Sequence, residues 1–154
     1  MKYIDTSAFV KYFSEENAEK GSDKIKLIVD TSNKDDAIIS SILLVGEVVS
    51  VFDKWVRLKL LEKDMLSETV GEFSNMLKNF VDDGRLVLED VSSAFIVSAV
   101  DYVVKHHIPI NDALHLASAL LHRDEIECFI SADKNLNEAA KKEGLNVVNP
   151  EEEN

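Results

Sequence analysis

Four short, unbroken apolar runs, separated by segments of helical length, constrain the architecture of this chain more than any other feature. They are Lys2-Tyr3-Ile4, Ala37-Ile38-Ile39-Ser40, Arg85-Leu86-Val87-Leu88 and Cys128-Phe129-Ile130-Ser131, with a fifth at Asn146-Val147-Val148. A strand with one wet face alternates apolar and polar residues, whereas a continuous run is buried on both faces. Strands of that kind in alternation with helices predict an α/β fold, a three-layer α/β/α sandwich around a mainly parallel sheet of four to five strands. In such sheets ligands bind beyond the carboxyl ends of the strands. The residues that follow each run therefore carry the chemical interest.

The intervening segments have helical signals. Asp5-Thr6-Ser7 offers capping side chains ahead of Ala8–Phe13, and a polar helix is expected over about 17–29. Ile42, Val45, Val49, Phe52, Val56 and Leu60 recur at spacings of three and four, predicting a long helix from about Ile42 to Leu61 with that row facing the core. Val70, Phe73, Leu77 and Phe80 repeat the pattern in a helix over 67–81 that stops at Asp82-Asp83-Gly84, so the two should form a hairpin. Helices over 92–106 and 111–122 are divided by Pro109, and another from about Asp133 ends before Gly144. Residues 1–150 are expected to form one domain and the acidic residues 151–154 a disordered tail, at a size that buries a core without disulfide staples.

The lone cysteine, Cys128, lies in an apolar run and suits a buried reduced thiol. The first ten residues match neither a secretion signal nor a membrane span, and 41–52 is too short to cross a bilayer, so a cytoplasmic location is expected. The net charge of −12 argues against unaided binding to nucleic acid, because backbone phosphates repel an acidic surface. That objection weakens if some of the acids gather divalent cations, or if the partner is a basic protein segment.

Four acids stand in positions that need explaining. Asp5 and Asp133 directly follow strands, and each also suits a helix N-cap; Asp112 suits a first helical turn beside a possible Asn111 cap. Glu47 is the only charged residue in 41–52, and Asp112 the only formally charged one between Lys105 and Arg123. Buried carboxylates are costly unless paired, protonated or bound to a cation, and neither acid has a basic residue adjacent in sequence. If the strand ends meet as predicted, four mutually repelling carboxylates share one site. Hard Mg²⁺ or Mn²⁺ is the ion that oxygen donors of this kind hold, with water and substrate completing the shell.

Tyr3-Ile4-Asp5-Thr6-Ser7-Ala8, Gly46-Glu47, Asn111-Asp112-Ala113-Leu114-His115-Leu116-Ala117 and Ser131-Ala132-Asp133-Lys134, in this order and at these distances, resemble the PIN-domain family, and in particular its VapC-type toxins. The resemblance spans nearly the whole chain. It implies a metal site formed by Asp5, Glu47, Asp112 and Asp133, and an endoribonuclease that cleaves RNA phosphodiesters with metal-activated water as the toxin of a toxin–antitoxin pair. Ser131 stands where the family usually has threonine and keeps the hydroxyl. Thr6, Ser7 and Ser131 are candidates to orient the carboxylates, and Lys11 or Lys134 to approach phosphate, although both lysines also suit plain solvated surface. An antitoxin with a basic tail and a homodimer are the expected partners.

His115, one turn into an apolar helix, reads as structural rather than as a general base. His106, His107 and His122 lack a zinc-ligand pattern. Tyr3, Phe9, Tyr12 and Phe13 suit core packing better than base stacking, while Trp55 and Leu58 suit either an interface or the core. A phosphoacceptor receiver domain, a housekeeping PIN nuclease and a non-catalytic PIN-like binding module are the alternatives. A receiver would place paired acids after its first strand, where this chain has only Asp5.

Overall fold

The computed structural model describes residues 1–14 and 19–152. Five parallel strands, β1 (Lys2–Ile4), β2 (Ile38–Ser41), β3 (Leu86–Glu89), β4 (Cys128–Ile130) and β5 (Val147–Val148), form one sheet in the order β3-β2-β1-β4-β5. The helices are α1 (Thr6–Phe9, continued as a 3₁₀ turn over Val10–Phe13), α2 (Ser22–Thr31), α3 (Leu43–Arg57), α4 (Leu66–Asp82), α5 (Ser93–His106), α6 (Ile110–Leu121) and α7 (Lys134–Lys142). Among the described residues no helix is long and apolar enough to cross a membrane.

Successive side chains of a strand point to opposite faces, and both faces here are dry. Ile4, Ile38, Leu86, Cys128 and Ile130 join a core with α1 to α4, while Tyr3, Ile39 and Phe129 join a second core with α5, α6 and α7. The first core is centred on aromatic edges: Phe13 meets Phe52 at 5.2 Å and Phe73 at 5.5 Å between ring centroids, both near perpendicular. Tyr3 and Phe9 are fully buried, so the packing expectation holds for them. Trp55 is half-buried against Phe52 at 5.4 Å, and Leu58 is exposed.

Several expectations need correction. The inward row of α3 is Leu44, Val48 and Phe52, whereas Ile42 and Leu60 of the predicted row are 38% and 71% exposed. Apolar residues cover most of this helix, so periodicity alone does not select the row that faces inward. The helix also stops at Arg57 rather than Leu61, because Lys59 turns into the left-handed region at φ 59°. Of the helix expected over about 17–29, residues 17–18 lie outside the described residues, and α2 begins only at Ser22. Gly21 precedes it at φ 86°, where an added Cβ would sit 2.5 Å from the carbonyl oxygen of Pro150.

The residues expected as a disordered tail divide. Glu151 pairs with the buried Lys11 at 2.8 Å, which removes this lysine from both the phosphate-contacting and the solvated roles, while residues 153–154 lie outside the described residues.

Candidate metal centre

The sheet order places β1 between β2 and β4, so connections leave it in opposite directions and a crevice opens where β1 and β4 end side by side. Their registers match Ile4 with Ile130, and the next residues are Asp5 and Ser131. Asp5 is 4% exposed and caps α1 by accepting the Ala8 N–H at 2.9 Å. The Ser7 hydroxyl lies 2.9 Å from both of its oxygens, and Ser131 Oγ donates to Oδ2 at 3.0 Å. Burial pushes the Asp5 carboxyl above the usual aspartate range, against the lowering effect of His115 and of these donors.

Asp133 caps α7, its Oδ1 accepting the Leu136 N–H at 2.9 Å. Its own N–H donates to Ser131 Oγ at 3.0 Å, so one hydroxyl joins the Asp133 backbone to the Asp5 carboxylate. Ser7 makes a parallel link by accepting the Ala132 N–H at 3.0 Å. The two strand-end acids therefore sit as caps of their own helices and are tied together by two serines.

Glu47, on α3, is held from three elements. Thr6 Oγ1 donates to its Oε2 at 2.5 Å, His115 Nε2 lies 2.9 Å from the same oxygen, and Asn111 Nδ2 donates to Oε1 at 2.9 Å. Partial burial opposes its charge, but the hydrogen bonds from His115 and Thr6 outweigh that and keep the carboxyl below the usual glutamate range. Asn111 does not cap α6 as expected. Pro109 occupies that position in extended conformation, its carbonyl accepting the Ala113 N–H, and Asn111 lies within the first turn with its amide on Glu47.

Asp112 is different. Among the described residues its carboxylate receives no hydrogen bond from the protein, and it is pushed up to about 6 by partial burial and by the charges of Asp133, Asp5 and Glu47. The charges of Asp5, Glu47 and Asp133 thus all reach Asp112. Among the described residues, however, no group of three or more aspartate, glutamate, histidine or cysteine side chains is gathered closely enough to hold a metal ion. The oxygen-only donor set and the uncompensated charge at Asp112 fit a hard divalent cation whose shell is completed by water and substrate.

Residues that the sequence reading set aside prove central to this arrangement. His115 is 2% exposed and bridges Tyr3 and Glu47, with Nδ1 3.0 Å from the Tyr3 hydroxyl. Its visible signal is the spacing of four from Asn111, which puts both polar side chains on one side of a largely apolar helix. His106, by contrast, pairs with Glu143 at 2.5 Å.

The sequence profile of the PIN domain matches residues 2–142 of this chain. No curated protein sequence matches it. Among solved structures, PAE2754 from Pyrobaculum aerophilum is 17% identical with a TM-score of 0.60, covering 97% of this chain and 89% of that one. FitAcB from Neisseria gonorrhoeae is 18% identical with a TM-score of 0.61, covering 97% and 98%. VapBC2 from Rickettsia felis, bound to a DNA fragment from their promoter, is 15% identical with a TM-score of 0.55, covering 97% and 98%. At these identities the likeness shows a shared fold, and together with the profile match it removes the receiver-domain alternative.

Proposed function

The chain belongs to the PIN domain family, a family of nucleases that generally use divalent metal ions, and on that premise we propose that it is an Mg²⁺- or Mn²⁺-dependent endoribonuclease. Asp5, Glu47, Asp112 and Asp133 would hold the ion. The observation that carries this reading is Asp112, a carboxylate with no protein donor among the described residues that partial burial and the charges of the three other acids push up to about 6. A divalent cation bound there would supply a nucleophilic water for in-line attack on a phosphodiester and neutralise charge on the leaving oxygen. Ser7 and Ser131 hold Asp5 in the orientation its helix cap sets, and Thr6 and Asn111 fix Glu47. Exposed Lys134, beside Asp133, would meet the RNA backbone.

The test is cleavage of RNA with Mg²⁺ or Mn²⁺ by the wild type, Asp5→Asn and Asp112→Asn. Wild-type cleavage that both substitutions abolish is the expected result. Activity unchanged in both variants would sink the proposed site. A folded chain that binds RNA without cutting it would favour the non-catalytic module.

The likeness to FitAcB and VapBC2 supports a VapC-type toxin acting in the cytoplasm with a protein antitoxin, in preference to a housekeeping nuclease. A chain of net charge −12 repels DNA, so any promoter contact would come from the partner, and a basic partner tail would be drawn to the acidic site. Association of the purified pair should weaken as salt rises; salt-independent binding would contradict the charge argument. A homodimer would bury the exposed row Ile96, Val97, Val100 and Val104 on α5. Val97→Asp should then sediment as a monomer, and an unchanged dimer would locate the interface elsewhere.

A further inference from the structure

We propose that His115 is a positioning residue for Glu47, fixed by Tyr3 with its Nε2–H donating to Oε2, so that Glu47 meets the cation through Oε1 alone. This deepens the metal reading and rests on it. A carboxylate offers about four acceptor positions. On Glu47 three are filled, two on Oε2 by Thr6 and His115 and one on Oε1 by Asn111, which leaves the open position on Oε1.

The proton on Nε2 follows from the partners. Glu47 already accepts from Thr6 and Asn111, so the ring nitrogen 2.9 Å from its Oε2 is the one that carries hydrogen. The other ring nitrogen, Nδ1, lies 3.0 Å from the Tyr3 hydroxyl, whose O–H can donate to it once Nε2 carries the ring proton. Tyr3 is itself immobilised, fully buried and stacked on Phe129 at 5.4 Å between centroids. The rigid line from Phe129 through Tyr3 and His115 ends on Glu47. It also bars His115 from acting as a general base, since its only lone pair faces Tyr3 in the core while the nitrogen at the site is a donor.

Two measurements on the full-length protein test this. Long-range ¹H–¹⁵N spectra should show His115 protonated at Nε2. Electron paramagnetic resonance titration of Mn²⁺ should show His115→Ala binding roughly 10–100-fold more weakly than wild type, the usual loss when a partner behind a ligand is removed. His115→Gln, whose amide can reach Oε2 as Nε2–H does, should recover most of that affinity, and His115→Asn, one carbon shorter, should not. An unprotonated Nε2, alanine and wild type binding alike, or glutamine no better than alanine would each overturn the proposal. Should His115→Ala fail to fold, the glutamine and asparagine pair decides. A wild type that binds no Mn²⁺ overturns the metal reading itself, an outcome distinct from wild-type binding that the variants leave unchanged.

Discussion

The two halves of the site are held by different physics. Asp5 and Asp133, at the ends of β1 and β4, are fixed by the first turns of the helices they start, and two serine hydroxyls tie them together. Glu47 projects from the side of α3, where the backbone donors are used within the helix, and Asp112 stands in the first turn of α6. Glu47 accepts from three side chains of distant segments, while Asp112 has no such donor among the described residues. A cap and a ligand are therefore not competing descriptions of Asp5 or Asp133, because capping orients a carboxylate without exhausting its lone pairs. On the helix half, holding and charging are divided between two residues. Glu47 is kept ionised by its donors, and Asp112 takes up the repulsion.

Substitutions can break or sharpen this contrast. The largest effect on stability is expected for Glu47→Ala, which strands the donors of Thr6 and His115 in a part-buried setting and should cost roughly 2–3 kcal/mol in denaturant unfolding. A neutral result would mean that those donors find other partners.

The opposite sign is expected at Asp112. Its folded carboxyl is raised to about 6 from 3.8, so folding disfavours its charged form and the metal-free protein loses stability as pH rises through that window. Asp112→Asn should remove this loss and stabilise the metal-free chain at pH 7 by roughly 1–2 kcal/mol, after allowance for solvent screening of a half-exposed group. Stability curves measured in chelator from pH 4 to 7 would show the variant without the wild-type decline. Parallel curves would contradict the crowding of charge inferred there.

The smallest effect separates cap from ligand at Asp133. Asp133→Ala should lose about 1 kcal/mol of stability, whereas Asp133→Ser, which still caps α7, should stay within about 0.5 kcal/mol of wild type. Both should lose Mn²⁺ affinity. Wild-type affinity in the serine variant would reduce Asp133 to a cap.

Much of the strand-end half was legible in sequence because its causes are local. The run Lys2-Tyr3-Ile4 ends where β1 ends, Asp5-Thr6-Ser7 signals a helix start, and Ser131-Ala132-Asp133 repeats that pattern after β4. The helix half depends on contacts that no local pattern records. His115 meets Glu47 across 68 residues and Tyr3 across 112. Sequence could place Glu47 in an apolar helix and report that it lacked a neighbouring cation, but not that a histidine and a threonine would converge on one of its oxygens. Lys11 was illegible for the same reason, since its partner Glu151 comes from the far end of the chain.

The most direct test of a shared metal site is the effect of Mn²⁺ on thermal unfolding of the wild type and Asp112→Asn. A ligand that binds only the folded state adds about 2.7 kcal/mol at one hundred times its dissociation constant, which for a chain of this size corresponds to a rise of roughly 5–10 °C. The wild type should show that rise and the variant little or none at the same Mn²⁺ concentration. Equal shifts in the two proteins would contradict the assignment of these carboxylates to a common metal centre.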